Sequence, residues 1–129
     1  MLHVLAVDDE IDFSKTIARF LEKKGYRVSM CKTGEKALKM IDEERPDIVL
    51  LDLNMPGMGG EITLNEIKLR HQDLPVLIVT AICEREKAVK LLMEGASDYI
   101  SKPIDFGYLE KYLSTWESLS RIRAVAKGD

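Results

Sequence analysis

Three acids, a threonine and a lysine stand at the ends of apolar runs in this chain. Asp52 closes Ile48-Val49-Leu50-Leu51 and leads into Leu53-Asn54-Met55-Pro56-Gly57. Asp8 and Asp9 close the run from Leu2 to Val7, and two further strand-like runs end in Thr80 and in Lys102-Pro103. Three carboxylates brought within a few ångströms repel. At about 4 Å and an effective dielectric of about 20, each pair costs about 4 kcal/mol. A divalent cation with oxygen ligands offsets that repulsion, and Mg2+ favours one or two carboxylates together with waters and a phosphate. Lys102 adds a second positive charge suited to a phosphoryl oxygen, and Thr80 adds a hydroxyl donor. The set suits a dianionic phosphoryl group, whose transfer needs chiefly in-line positioning and charge neutralisation. A carboxylate such as Asp52 can itself be the nucleophile and become an aspartyl phosphate.

Each residue alone has a plainer explanation. Asp8-Asp9 could cap a helix, Asp52 could be a turn residue before Pro56, Thr80 could be an ordinary strand-end threonine, and Lys102 a solvated lysine. What favours chemistry is that all of them fall at the same end of four strands.

The elements that position them alternate. Leu2–Val7 reads as a strand. Phe13, Ile17, Phe20 and Leu21 then recur at helical spacing, and Lys23-Lys24-Gly25 reads as a helix C-terminus. Tyr26–Met30 is a short strand. Thr33 caps a helix with Ala37, Leu38 and Ile41 inward, ending before Pro46. Asp47–Leu51, apolar on both faces, suits a central parallel strand. Gly57, Gly59 and Gly60 precede a helix with Ile62 and Ile67 inside. Pro75–Thr80 is the fourth strand, and Glu84–Glu94 the fourth helix, with Ala88, Leu91 and Leu92 inward and Gly95 as its stop. Asp98–Ser101 is the fifth strand. The last helix starts near Asp105 and buries Phe106, Leu109, Leu113 and Trp116, and its pattern continues at Leu119 and Ile122 as a candidate dimer seam. Five strand–helix units imply a parallel sheet covered on both faces, and in such sheets ligands bind at the carboxyl ends of the strands.

A chain of 129 residues fits one domain. Its net charge of −3 argues against a nucleic-acid footprint. Cys31 and Cys83 lie in or beside apolar segments and read as buried free thiols, without metal-type spacing. The N-terminus lacks the basic and apolar pattern of a signal peptide, and no apolar run approaches the roughly 20 residues that span a bilayer. A reducing, cytoplasmic setting without membrane contact is expected.

The sequence resembles the receiver domains of two-component response regulators from about His3 to about Leu119. The resemblance rests on Val7-Asp8-Asp9-Glu10, Leu51-Asp52-Leu53-Asn54-Met55-Pro56-Gly57, Val79-Thr80-Ala81 and Tyr99-Ile100-Ser101-Lys102-Pro103, in that order. It implies an α/β fold: a single doubly wound (βα)5 flavodoxin-like domain with a five-stranded parallel sheet in the order 2-1-3-4-5. Residues 1–120 would form the receiver domain, and 121–129 a C-terminal tail or the start of a linker helix. It implies that Asp52 is the phosphoacceptor. Asp9, Asp52 and the Asn54 carbonyl would ligate Mg2+, with Asp8 acting through water. Lys102 would contact the phosphoryl group, Thr80 would be the switch hydroxyl, and Tyr99 the aromatic that turns inward when Thr80 moves. The Lys102–Pro103 bond is expected to be cis. The partners implied are a sensor histidine kinase or phosphotransfer protein and a downstream effector or output domain, with a phosphorylation-dependent homodimer left open.

Ala81 is small and should leave the phosphate accessible. Ile82 offers no group to position a hydrolytic water, which favours a long-lived aspartyl phosphate, whereas Asn54 could still orient water. Two other classes compete with a switch that modifies only itself. An aspartyl-phosphate phosphohydrolase usually carries a second Asp two residues after its nucleophile and a cap insertion; here position 54 is Asn and no segment is long enough for a cap. A flavin-binding module on the same fold needs a Ser/Thr/Gly-rich phosphate loop, where Asp8-Asp9-Glu10 would repel the phosphate.

Overall fold

The computed structural model describes residues 2–81 and 85–126, with no account of side chains beyond Ile122. Strands and helices alternate strictly: β1 (His3–Val7), α1 (Ile11–Lys23), β2 (Arg27–Cys31), α2 (Gly34–Glu43), β3 (Ile48–Asp52), α3 (Gly59–Arg70), β4 (Val76–Ala81), α4 (Arg85–Met93), β5 (Asp98–Lys102) and α5 (Phe106–Ala126). All five strands run parallel in one sheet, in the order β2-β1-β3-β4-β5. The expected order is therefore observed, with β1 and β3 at the centre and buried along their length.

Alternation along the strands divides the core into two layers. Leu5, Val7, Val49, Leu51, Val76 and Ile78 face the side covered by Ala37, Leu38 and Ile41 of α2, Leu64 and Ile67 of α3, and Ala88 and Leu91 of α4. Val4, Ile48, Leu50, Leu77 and Val79 face the other side, covered by Ile17 and Leu21 of α1 and by Leu109 and Leu113 of α5. Phe13, Phe20, Phe106 and Trp116 pack around the edge of this second layer.

The local signals act as their chemistry dictates. The Thr33 hydroxyl caps α2 by accepting from the Lys36 N–H at 3.1 Å. Gly25 and Gly95 follow α1 and α4 with φ of +94° and +117°, where a side chain would be strained. The Lys102–Pro103 bond is cis, as expected. Cys31 is a buried free thiol, and burial pushes it up to about 11, leaving it protonated and inert at neutral pH. Ile82, Cys83 and Glu84 lie outside the described residues, so the readings made for them do too.

Two sequence expectations need correction. Ile62 does not pack inside: it is 54% exposed, and α3 buries Gly60, Thr63, Leu64 and Ile67 instead. The reason is Gly60, whose backbone lies directly against β3. That contact orients the helix, and position 62, about 200° further round, must face outward. The buried Thr63 hydroxyl is satisfied by donating to the Gly59 carbonyl. The strand ends also move. β3, β4 and β5 each extend one residue further than expected, so Asp52, Ala81 and Lys102 belong to the ladder itself.

Leu119 and Ile122 lie on the exposed side of α5. The helix runs through position 120, where the sequence reading ends the domain, to Ala126.

Candidate functional site

The strand register assembles the site. Val7 pairs with Leu51, which brings Asp8 level with Asp52. Asp52 pairs with Val79, Thr80 with Ser101, and Ala81 with Lys102. Asp8, Asp52 and Thr80 are all buried, whereas Asp9 is exposed. One carboxylate oxygen from each of Asp8, Asp9 and Asp52 lies within 4.8 Å of the others.

Lys102 is the counter-charge. Its Nζ donates to Asp8 Oδ2 at 2.9 Å and to Glu10 Oε1 at 3.1 Å, and lies 3.7 Å from Asp52 Oδ1. The Glu10 N–H donates to the other Asp8 oxygen at 2.9 Å. Asp8 thus takes its two strongest partners from opposite ends of the sequence. Phe13 completes the surroundings of the ammonium, with its ring centroid 4.4 Å from Nζ. Burial works to lower the Lys102 ammonium, but the hydrogen bonds to Asp8 and Glu10 outweigh it and hold it above its ordinary value.

Asp52 is in the opposite position. Burial and then the Asp8 charge push it up to about 6, partly countered by Lys102 and by the Asn54 backbone N–H that donates to it. At neutral pH it is ionised, yet it is less stabilised than an ordinary carboxylate. One ammonium cannot offset three acids. The donor set is three hard carboxylate oxygens with Asp9 open to solvent, and it fits an oxygen-seeking divalent cation.

Thr80 and Tyr99 fall on one side of the sheet. Thr80 shares a face with Ile78 by alternation, and Ile78 pairs with Tyr99. Tyr99 is half-buried and packs against the layer beneath α2, α3 and α4. The Thr80 hydroxyl donates to the neighbouring Ala81 carbonyl across a long 3.3 Å.

Asp8, Asp9, Asp52, Thr80 and Lys102 therefore sit at one rim, with Tyr99 two rungs below Thr80 on the same face. Sequence reasoning did not assign a role to Glu10 or Phe13. Glu10 was visible only as part of the acidic run after β1, and Phe13 only as one apolar position on α1.

The comparisons with known proteins identify the family. The family described as the response regulator receiver domain matches residues 4–114. The chain belongs to that family, the phosphoacceptor-type signalling domains of two-component systems. It is 41% identical over 120 residues to the transcriptional regulatory protein ZraR of Klebsiella oxytoca, covering 93% of this chain and 27% of that one. It is 33% identical over 126 residues to the DNA-binding transcriptional regulator NtrC of Escherichia coli K12, covering 95% and 27%. The chain thus spans about a quarter of the length of these curated relatives. Among solved structures, the receiver domain of NtrX from Brucella abortus superposes with a TM-score of 0.83 at 32% identity, covering 87% of this chain and 95% of that one. The signal receiver domain of a putative LuxO repressor protein from Vibrio parahaemolyticus superposes with a TM-score of 0.90 at 26% identity, covering 99% and 98%.

Proposed function

We propose that this domain is a phosphorelay switch that takes a phosphoryl group onto Asp52 from the phosphohistidine of a sensor histidine kinase or phosphotransfer protein. The observation that carries this reading is the position of Asp52. It is the one carboxylate that belongs to the acid cluster, lies beside Lys102, and is neither hydrogen-bonded to Lys102 nor tied to the Glu10 backbone. An Asp52 oxygen attacks phosphorus in line, the phosphorus–nitrogen bond breaks, and the imidazole leaves with the electron pair and takes up a proton.

Asp9, Asp52 and the Asn54 carbonyl would hold Mg2+, with Asp8 acting through water. When bound, the metal supplies charge neutralisation for the phosphoryl oxygens. Lys102 moves from Asp8 toward the new phosphoryl group and Thr80 turns its weakly held hydroxyl to it. Phosphorylation adds about −1.5 to −2 charges and three acceptors at this rim. Tyr99 lies on the same face as Thr80 and fills the space Thr80 leaves. The surface of α4, β5 and α5 then changes and is read by an effector or output domain.

The domain catalyses only its own phosphorylation and dephosphorylation. Multiple turnovers of an aryl phosphate, in place of a single one, would instead favour a phosphohydrolase. No helix among the described residues is long and apolar enough to cross a membrane, and we assign the domain to the cytoplasm. The exposed Leu119 and Ile122 offer a seam for a dimer formed on phosphorylation, which a sizing column tests.

The central test is treatment with a small phosphodonor and Mg2+, followed by intact mass. A gain of one phosphoryl group that disappears in Asp52→Asn supports the reading. An equal gain in the variant overturns it.

A further inference from the structure

Among the described residues, the Lys102 ammonium has four charged or aromatic partners, and three of them are carboxylates. On the reading above, the ammonium must let go of Asp8 and still be near Asp52 when a phosphoryl group arrives. A divalent cation entering the acid cluster competes with Lys102 for Asp8, its shortest contact at 2.9 Å. Glu10 is a weak substitute, because its side chain is 67% exposed and its attraction is screened by water. Without a further hold, the ammonium would keep only the screened Glu10 contact and the 3.7 Å contact to Asp52.

The fourth neighbour is the Phe13 ring. Its centroid lies 4.4 Å from Nζ, well inside the range in which the negative face of an aromatic attracts an ammonium. The ring is half-buried and packs against the layer between the sheet, α1 and α5. It is flanked on α1 by buried Ser14 and Ile17, so its place is set by the core. A hydrocarbon ring has no lone pair for the metal and no proton to gain or lose. Among the described partners of Lys102, it is the one whose hold does not change when the acids change theirs.

We propose that Phe13 is a positioning residue: its ring face retains the Lys102 ammonium at the rim while Asp8 is given over to the metal, so that Lys102 is in reach of the phosphoryl group on Asp52. The proposal rests on the reading of Asp52 as phosphoacceptor, and its test separates the two.

The first arm needs no phosphorylation. The ε-methylene protons of Lys102, lying over a ring, should resonate upfield of other lysines, and Phe13→Leu should abolish that shift. Titration with Mg2+ alone should leave it in place. Loss of the upfield shift on adding Mg2+ would overturn the proposal. The second arm is the rate of phosphorylation by a small phosphodonor. Replacing Phe13 with its mono-, di- and trifluorinated analogues weakens the ring face stepwise at nearly constant shape. The rate should fall stepwise, by about two- to five-fold overall, and Phe13→Tyr should restore what Phe13→Leu loses. In a Lys102→Met background the fluorine series should have no effect on the residual rate. A flat series, or one that persists without Lys102, counts against the proposal. If the unaltered protein gains no phosphoryl mass, the phosphoacceptor reading fails and the Mg2+ titration alone decides the Phe13 contact.

Discussion

Gly60 rests directly against the backbone of Asp52. A methyl group at Gly60 would stand 2.7 Å from the Asp52 carbonyl oxygen and 2.6 Å from Leu53 Cα, while the Gly60 N–H donates to the Leu53 carbonyl at 3.1 Å. The start of α3 is thereby pressed onto the end of β3 at the residue that carries the central carboxylate.

Gly60→Ala should therefore separate α3 from β3, since both clashing atoms are main chain and cannot turn aside. The expected loss is about 2 kcal/mol of stability, read by urea unfolding, with slower phosphorylation by a small donor. Gly107→Ala is the control, because its methyl group meets only the Asp105 carboxylate at 3.3 Å. Equal behaviour of the two variants would count against a special closeness at Gly60.

Asp52→Asn should stabilise the metal-free protein at neutral pH. Burial, and then the Asp8 charge, raise the carboxyl from its ordinary value of 3.8 to about 6 in the folded chain. Between those values the folded chain holds more protons than the unfolded one, so stability falls as pH rises from about 4 to about 6 and the full cost remains above that. The variant should gain about 2 kcal/mol at pH near 7.5 and little at pH near 4. Mg2+ should then raise the stability of the unsubstituted protein and leave the variant unmoved. A gain that is the same at both pH values would contradict the assignment.

Lys102→Met should have the opposite sign. It strands Asp8 and Asp52 in a buried setting without their ammonium, at a cost of about 3 kcal/mol without metal. Mg2+ should restore part of that loss. Phosphorylation should slow on the order of a hundred-fold, as when one preorganised donor is removed from a reacting oxyanion. Unfolding curves with and without Mg2+ would refute the claim if the cation made no difference.

Thr80→Ala removes a hydroxyl whose present bond, to Ala81, is long at 3.3 Å. Stability should change by less than about 1 kcal/mol, and the mass gain on phosphorylation should remain. What should vanish is the response of the Tyr99 ring, followed by its NMR resonances before and after phosphorylation. A Tyr99 response equal to that of the parent would dissociate the two residues.

Most of the sheet could be read from the chain because its strands are apolar runs ending in polar residues, and its turns carry unambiguous stops such as Gly25 and Gly95. The placement of Asp8, Asp52, Thr80 and Lys102 at one rim follows from parallel βα units alone. The face of α3 could not be read, because Ile62 and Ile67 are the same residue type yet one is exposed and the other buried, and the deciding contact is a glycine pressed against a strand. The partners of Lys102 were hidden for another reason. Glu10 and Phe13 belong to the far end of the chain, and nothing local to Lys102 marks them as its neighbours.

The bond between Lys102 and Asp8 joins residues 94 positions apart, one just past the end of β1 and one at the end of β5. Contacts so far apart in sequence require a large loop to be closed, at a cost in chain entropy. The β1–β3 register by itself sets Asp8 beside Asp52, and their ammonium comes only from β5. β5 supplies both the outer pairing partner of β4 and the ammonium. On the proposed chemistry, a truncated or half-made domain would stay silent, and only a finished one could receive a signal.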